Sequence, residues 1–189
     1  MELSKFIHKN SGSNLPSDFI KKVFASFDNF QTEECYVVRQ NQRWENVTDF
    51  LTNPIHDKEL EKEWKRIKKN SPIPLPEDYK ELFLIFGQSV IENHKDNSFP
   101  ANFLFWNWDD IEFFEDMSIE DFWEECPKML PVGHDLGDMF YIYGEGPDGL
   151  GVYWCDTGCG YYMEDMEKLA DSFTELFTNI KPLDQIYYP

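Results

Sequence analysis

Residues 130–156 read LPVGHDLGDMFYIYGEGPDGLGVYWCD, and this stretch decides the fold. Pro131-Val132-Gly133 enters it as a short strand, and Gly137-Asp138 bends the backbone where a side chain would interfere. Met139-Phe140-Tyr141-Ile142-Tyr143 is continuous, apolar and aromatic, the composition of a strand buried on both faces. Gly144 to Gly149, with Pro147 and Asp148, is rich in turn formers and predicts a hairpin connection. Gly151-Val152-Tyr153-Trp154 then returns as a third strand. Little of this segment suits a helix, so the sheet is built here.

Working outward, a chain of 189 residues forms one domain, or one with an extension, and 17% aromatic residues supply a real core. The first residues, MELSKFIHKNSG, contain no apolar run of the signal-peptide kind. The fully apolar stretches fall far short of the roughly 20 residues a spanning helix needs. Cys35, Cys126, Cys155 and Cys159 are scattered, which suits reduced thiols. The expectation is a soluble protein of the cytoplasm with no membrane partner.

The charge is lopsided. Of the formal −19, residues 1–95 contribute −1 and residues 96–189 contribute −18. A solvated acidic surface explains an acidic protein. It explains the asymmetry less well than a basic partner for the C-terminal half does. The same sign disfavours direct binding to nucleic acid phosphates.

The N-terminal part predicts a helix from Leu15 to Phe27, with Phe19, Ile20, Val23, Phe24 and Phe27 at helical spacing. Two short strands follow, Cys35–Val38 and Arg43–Val47, then a short helix from Thr48 to Leu51. Residues 1–55 are read as a helical and hairpin extension packed on the main body, because their apolar surface is too large to leave solvated. Residues 56–189 form the main domain. It opens with a helix over Asp57–Lys69, whose face is Leu60, Trp64 and Ile67, with Glu61 and Lys65 four apart. Prolines break the chain at Ser71–Pro76. A second helix runs from Pro76 to Phe86, burying Tyr79, Leu82, Phe83 and Phe86 and ending at Gly87. Phe103 to Trp108 predicts a strand, Asp109 to Phe114 a short helix, and Ser118 with Asp121 a cap for a helix through Glu125. A closing helix is expected over Glu167–Ile180 from the register of Leu169, Phe173, Leu176, Phe177 and Ile180.

Between Asp109 and Glu125 stand nine acidic residues and no basic one: Asp109, Asp110, Glu112, Glu115, Asp116, Glu120, Asp121, Glu124 and Glu125. Acids and aromatics alternate at helical spacing. The pattern predicts an acidic surface with Ile111, Phe114, Ile119 and Phe122 turned inward. These nine, with Asp135 near the sheet, are the candidate contacts for a basic partner. Asp109, Asp110 and Glu112 are expected to be replaceable by their amides with the fold nearly untouched. Trp106, Trp108 and Trp123 are candidate anchors, since interface energy concentrates in aromatic and arginine residues; the alternative for each is the core.

Catalytic readings fare worse. Asp156-Thr157-Gly158 follows an apolar strand as an aspartic hydrolase triplet does, but such a site needs two carboxylates sharing a proton, hence a homodimer. Cys155 and Cys159 lack two further zinc ligands at matching spacing, and His8, His56, His94 and His134 do not supply them. No partner base is indicated for a cysteine nucleophile. Gly144, Gly146, Gly149 and Gly151 lie between two strands, so they cradle no phosphate at a helix start. No metal and no cofactor is expected.

Four stretches taken together resemble the SUKH superfamily. They are Leu75-Pro76-Glu77-Asp78-Tyr79 running to Phe86-Gly87, Pro131-Val132-Gly133 with Asp135 and Gly137-Asp138, Gly151-Val152-Tyr153 with Asp156, and Ala170-Asp171-Ser172-Phe173 with Leu176-Phe177. In such proteins Gly87 is often followed by a second glycine, where this chain has Gln88. The resemblance implies an α+β fold: one mainly antiparallel twisted sheet with helices packed against it. It implies binding instead of catalysis, either as an immunity protein blocking a cognate toxin or as a regulatory or scaffold protein of the fungal cell-wall-regulator type. Many such toxins are nucleases, which carry a basic surface for their substrate.

Overall fold

Residues 130–156 become three consecutive antiparallel strands in the computed structural model, which describes residues 35–39, 42–44, 58–93, 102–117, 122–135, 139–156 and 162–178. The strands are β1 (Cys35–Arg39), β2 (Gln42–Trp44), β3 (Val90–Asn93), β4 (Asn102–Phe105), β5 (Met129–His134), β6 (Met139–Gly146), β7 (Gly149–Asp156) and β8 (Glu167–Ala170). They form one eight-stranded sheet in the order β2-β1-β3-β4-β5-β6-β7-β8, antiparallel at every pairing. With the helices below, the architecture is the expected α+β.

β6 is buried on both sides, as its composition predicts. Tyr141 stacks on Phe103 at 4.3 Å and Tyr143 lies 5.5 Å from Phe173. Phe140, alternating to the other face, meets Phe114 at 4.9 Å and Trp106 at 5.3 Å. The expected Gly144–Gly149 connection is shorter than its composition implies. Both strands continue through the glycines, Gly144 pairs with Gly151, and only Pro147-Asp148 turns, with Gly149 at φ +88°. Gly144 is a strand residue paired with Met129 and Gly151, and it is glycine because the Lys128 carbonyl and Met129 Cα approach where a Cβ would stand.

Helix α1 (Lys58–Asn70) buries Leu60, Trp64 and Ile67 and holds acids in its first turn and lysines in its last, which suits the helix dipole. Helix α2 (Glu77–Phe86) starts after Pro76 and buries Tyr79, Leu82, Phe83 and Phe86. Trp64 meets Tyr79 edge-on at 5.7 Å, joining the two helices. Gly87 does not take the left-handed conformation of a helix-ending glycine: its φ is −52°, and Gln88 takes φ +58° instead. Gly87 is small for packing, since a Cβ would stand 2.5 Å from the Phe83 carbonyl oxygen and 2.8 Å from Leu60.

β1 pairs with β3 through Val37 and Ile91, so the β1–β2 hairpin extends the sheet that the later strands build. The helices expected over Leu15–Phe27 and Thr48–Leu51 lie outside the described residues, as do Ser118–Asp121 and Gly137-Asp138. Two expectations are corrected. β4 ends at Phe105, and Trp108 already opens helix α3 (Trp108–Met117), because Asn107 caps that helix. The closing segment is not one helix: Glu167–Ala170 is strand β8 on the sheet edge, and helix α5 spans Phe173–Thr178. The short helix α4 (Phe122–Glu125) stands between α3 and β5.

One carboxylate links two of the four sequence motifs. Asp78 Oδ2 accepts bonds from the Thr174 backbone N–H (2.9 Å) and hydroxyl (3.0 Å), while Asp78 Oδ1 accepts from the Tyr79 N–H (2.9 Å). The first turns of α2 and α5 are thereby clasped, with Tyr79 stacked on Phe173 at 4.8 Å beneath them.

Candidate partner-binding surface

Helix α3 starts from a reciprocal cap. The Asn107 N–H donates to Asp110 Oδ2 and the Asp110 N–H to Asn107 Oδ1, both at 3.0 Å. From that start, Trp108, Ile111 and Phe114 fall on one stripe and are buried. Phe122 on α4 is buried against Phe114 at 5.5 Å; Ile119 lies outside the described residues. The outward side of α3 carries Asp109, Glu112 and Phe113.

Arg66 of α1 reaches across to that side. Its guanidinium lies 2.6 Å from Asp109 Oδ1 and 3.1 Å from Glu112 Oε2, and the Asp109 hydrogen bond raises the Arg66 pKa further. Glu112 Oε1 also accepts from Trp108 Nε1 at 2.6 Å, and the Trp108 N–H donates to Glu63 Oε2 at 3.4 Å. The carboxylates of Asp109 and Glu112 are therefore exposed yet held, and Asp110 is half-buried in the cap. Replacing these three acids by amides keeps an acceptor oxygen at Asp110 for the Asn107 N–H and removes the exposed ion pairs of Arg66 with Asp109 and Glu112, so its expected effect falls on the α1–α3 bridge and not on the cap.

The other candidates scatter. Glu124 and Glu125 are exposed on α4. Glu115 and Asp116 fall in the last turn of α3, while Glu120 and Asp121 lie outside the described residues. Asp135 is tied to the start of β6: its Oδ1 accepts from the Met139 N–H at 3.3 Å and its own N–H donates to the Met139 carbonyl at 3.1 Å. The tryptophan anchors need correction. Trp106 and Trp108 are each 6% exposed and Trp123 is half-buried. Trp108 stacks on Trp123 at 6.3 Å, and Trp123 Nε1 donates to the Met129 carbonyl at 3.0 Å. These rings fill the gap between α3, α4 and the sheet, which is the core alternative. The exposed aromatic of this surface is Phe113, at 63%. Helical geometry sets it about 200° around the axis from Ile111, opposite the buried stripe, so periodicity alone could have singled it out.

The acidic half spends its described lysines internally. Lys128 pairs with Glu145, and Lys168 pairs with Asp171 (2.6 Å) while donating to the Asp148 carbonyl (3.0 Å). Asp156, Glu164, Asp165 and Glu167 are exposed. Asp156, at the end of β7, precedes Thr157-Gly158, which lie outside the described residues, as does Cys159. Cys155 is buried; burial and the charge of Glu125 push the Cys126 thiol up to about 11, so it is protonated at neutral pH. Among the described residues no group of three or more His, Cys, Asp or Glu is placed to hold a metal, and no helix is long and apolar enough to cross a membrane.

His134 ends β5 with its ring 5.6 Å from Trp106 and 6.3 Å from Phe140. Burial lowers its pKa below the ordinary value, against the opposing pull of Asp135 and Asp110. The unfolded chain therefore takes up this proton first as pH falls, and His134 contributes stability above about pH 6.5 that is lost below it. The urea midpoint of the parent should fall more steeply between about pH 7.5 and 5.5 than that of His134→Gln. Parallel profiles would show that the histidine does not contribute to the slope.

Residues 58–179, more than half of the chain, match the model of the SMI1 / KNR4 family (SUKH-1). No curated protein and no solved structure matches the chain.

Proposed function

Because the chain belongs to the SMI1/KNR4 family (SUKH-1), a family of immunity and cell-wall-regulatory proteins, we propose that it is a non-catalytic immunity protein of the cytoplasm that blocks a cognate protein toxin through its acidic surface. The observation that carries this reading is the outward side of α3, where the exposed carboxylates of Asp109 and Glu112 are held in fixed positions within a half of the chain that carries −18. A nuclease toxin must present cationic surface to bind phosphates. Complementary charge speeds the encounter and rejects like-charged partners, and Glu124 and Glu125 on the neighbouring α4 add to the same field. Carboxylates held by Arg66 and Trp108 lose little side-chain freedom on binding, which favours a rigid dock.

The test is coexpression with the C-terminal domain of a secreted protein encoded beside this gene, followed by stopped-flow association of the purified pair. The expected results are restored growth and an association rate that falls roughly tenfold or more from low to high salt, because charges separated by more than ~8 Å are screened at physiological ionic strength. Undiminished killing would remove the immunity reading and leave a regulatory role. Protection with a salt-independent rate would keep immunity and remove the electrostatic argument.

A further inference from the structure

We infer that Phe113 is the apolar anchor of this docking surface, and that the partner presents an apolar pocket rimmed by lysine or arginine side chains to receive it; the inference rests on the binding role proposed above. An isolated exposed apolar residue is ordinary. Phe113 differs in its surroundings. It lies on the outer side of a helix whose inner stripe is fully used in the core, so its exposure is not a failure of packing. Asp109, four residues before it, and Glu112, its neighbour, present carboxylates that Arg66 and Trp108 hold in place. Residues four apart share a helix face, so the ring and the Asp109 carboxylate project together. An aromatic side chain has few rotors to freeze, and a rim of held polar groups excludes water around it, which is the anatomy of an interface hot spot.

Charge selects the class of occupant. Arg66 pairs with both Asp109 and Glu112, which leaves this cluster one negative charge within a half of the chain that carries −18, and a pocket rimmed by cations complements that field while taking up the ring. A nucleic acid or an anionic lipid surface meets the same carboxylates with repulsion. A neutral apolar partner would have to strip water from the Arg66, Asp109 and Glu112 cluster while offering nothing to offset its remaining negative charge.

The experiment titrates the C-terminal domain of the neighbouring secreted protein against the parent, Phe113→Ala and Leu150→Ala. Leu150 is 52% exposed at the opposite end of the sheet's long hairpin and serves as an apolar control. Phe113→Ala should weaken binding roughly tenfold or more, mostly through faster dissociation, with an unchanged urea midpoint. Leu150→Ala should bind as the parent does. Parent-like binding by Phe113→Ala overturns the anchor and leaves the proposed function standing. Equal weakening by both variants overturns it as well, since the effect would then be general. A parent that does not bind the domain overturns the proposed function and the anchor with it.

Discussion

Asp78→Ala should lower the unfolding free energy by about 3 kcal/mol in urea titrations, an effect that a half-exposed acid on a helix surface would not normally have. The reason is the clasp. One carboxylate oxygen takes both the amide and the hydroxyl of Thr174, and the other takes the Tyr79 amide. Hydrogen bonds to a charged acceptor contribute about 1.5–3 kcal/mol each, and removing the acceptor leaves part-buried donors unpaired. Asp78→Asn keeps a carbonyl oxygen of the same shape and should lose only about 1 kcal/mol. Thr174→Val removes the hydroxyl alone. In a double-mutant cycle, Asp78→Ala and Thr174→Val should couple by about 1 kcal/mol or more. A loss within about 0.5 kcal/mol for Asp78→Ala, or no coupling, would mean that the two helix ends are held by packing of Tyr79 on Phe173 and not by the carboxylate.

The clasp marks where sequence reading stops. Leu75-Pro76-Glu77-Asp78 and Ala170-Asp171-Ser172-Phe173 are each legible as a helix start, but nothing local says that they touch across 96 residues. α1, α2 and β5 to β7 were readable because period and punctuation agree there: Leu60, Trp64 and Ile67 at helical spacing, then aromatic strands between glycines. The segment after Glu167 failed because Leu169 happens to continue the helical register of Phe173 and Leu176. The signal that separates them was present. Ser172 Oγ accepts from the Glu175 N–H (3.1 Å) and Glu175 Oε2 accepts from the Asp171 N–H (2.9 Å), a capping arrangement that starts the helix at Phe173. It strands Glu167–Ala170 outside, where β7 takes it as an edge. At the candidate surface, the acids of α3 were legible as a group, but their division into bridge and cap was not. Arg66, forty-three residues earlier than Asp109, decides that division. The tryptophans misled because residue type alone does not distinguish an anchor from a core ring, whereas the helical angle of Phe113 does.

Gly133→Ala should also cost about 3 kcal/mol, and by a route that reaches the binding surface. Gly133 pairs with Phe105 where β4 meets β5, and a Cβ there would overlap the Leu104 carbonyl and stand 3.0 Å from the Phe103 ring. Both neighbours are fixed, the carbonyl by the sheet and the ring by its stack on Tyr141. The strands must part. This is the thinnest seam of the sheet among the described residues, with two register pairs and the bond from the Trp106 N–H to the Val132 carbonyl at 3.1 Å. By contrast, Gly149→Ala meets nothing within 4 Å, and its loss of about 1 kcal/mol should come from φ alone. Opening the seam moves Trp106 and, two residues later, the start of α3, so Asp109, Glu112 and Phe113 shift with it. Gly133→Ala should therefore show faster hydrogen exchange at the Trp106 amide than at β6 and β7 amides, and weaker partner binding even where the fold persists. An unchanged urea midpoint with full protection at Trp106 would mean that the seam yields without strain, and that the position of α3 does not depend on it.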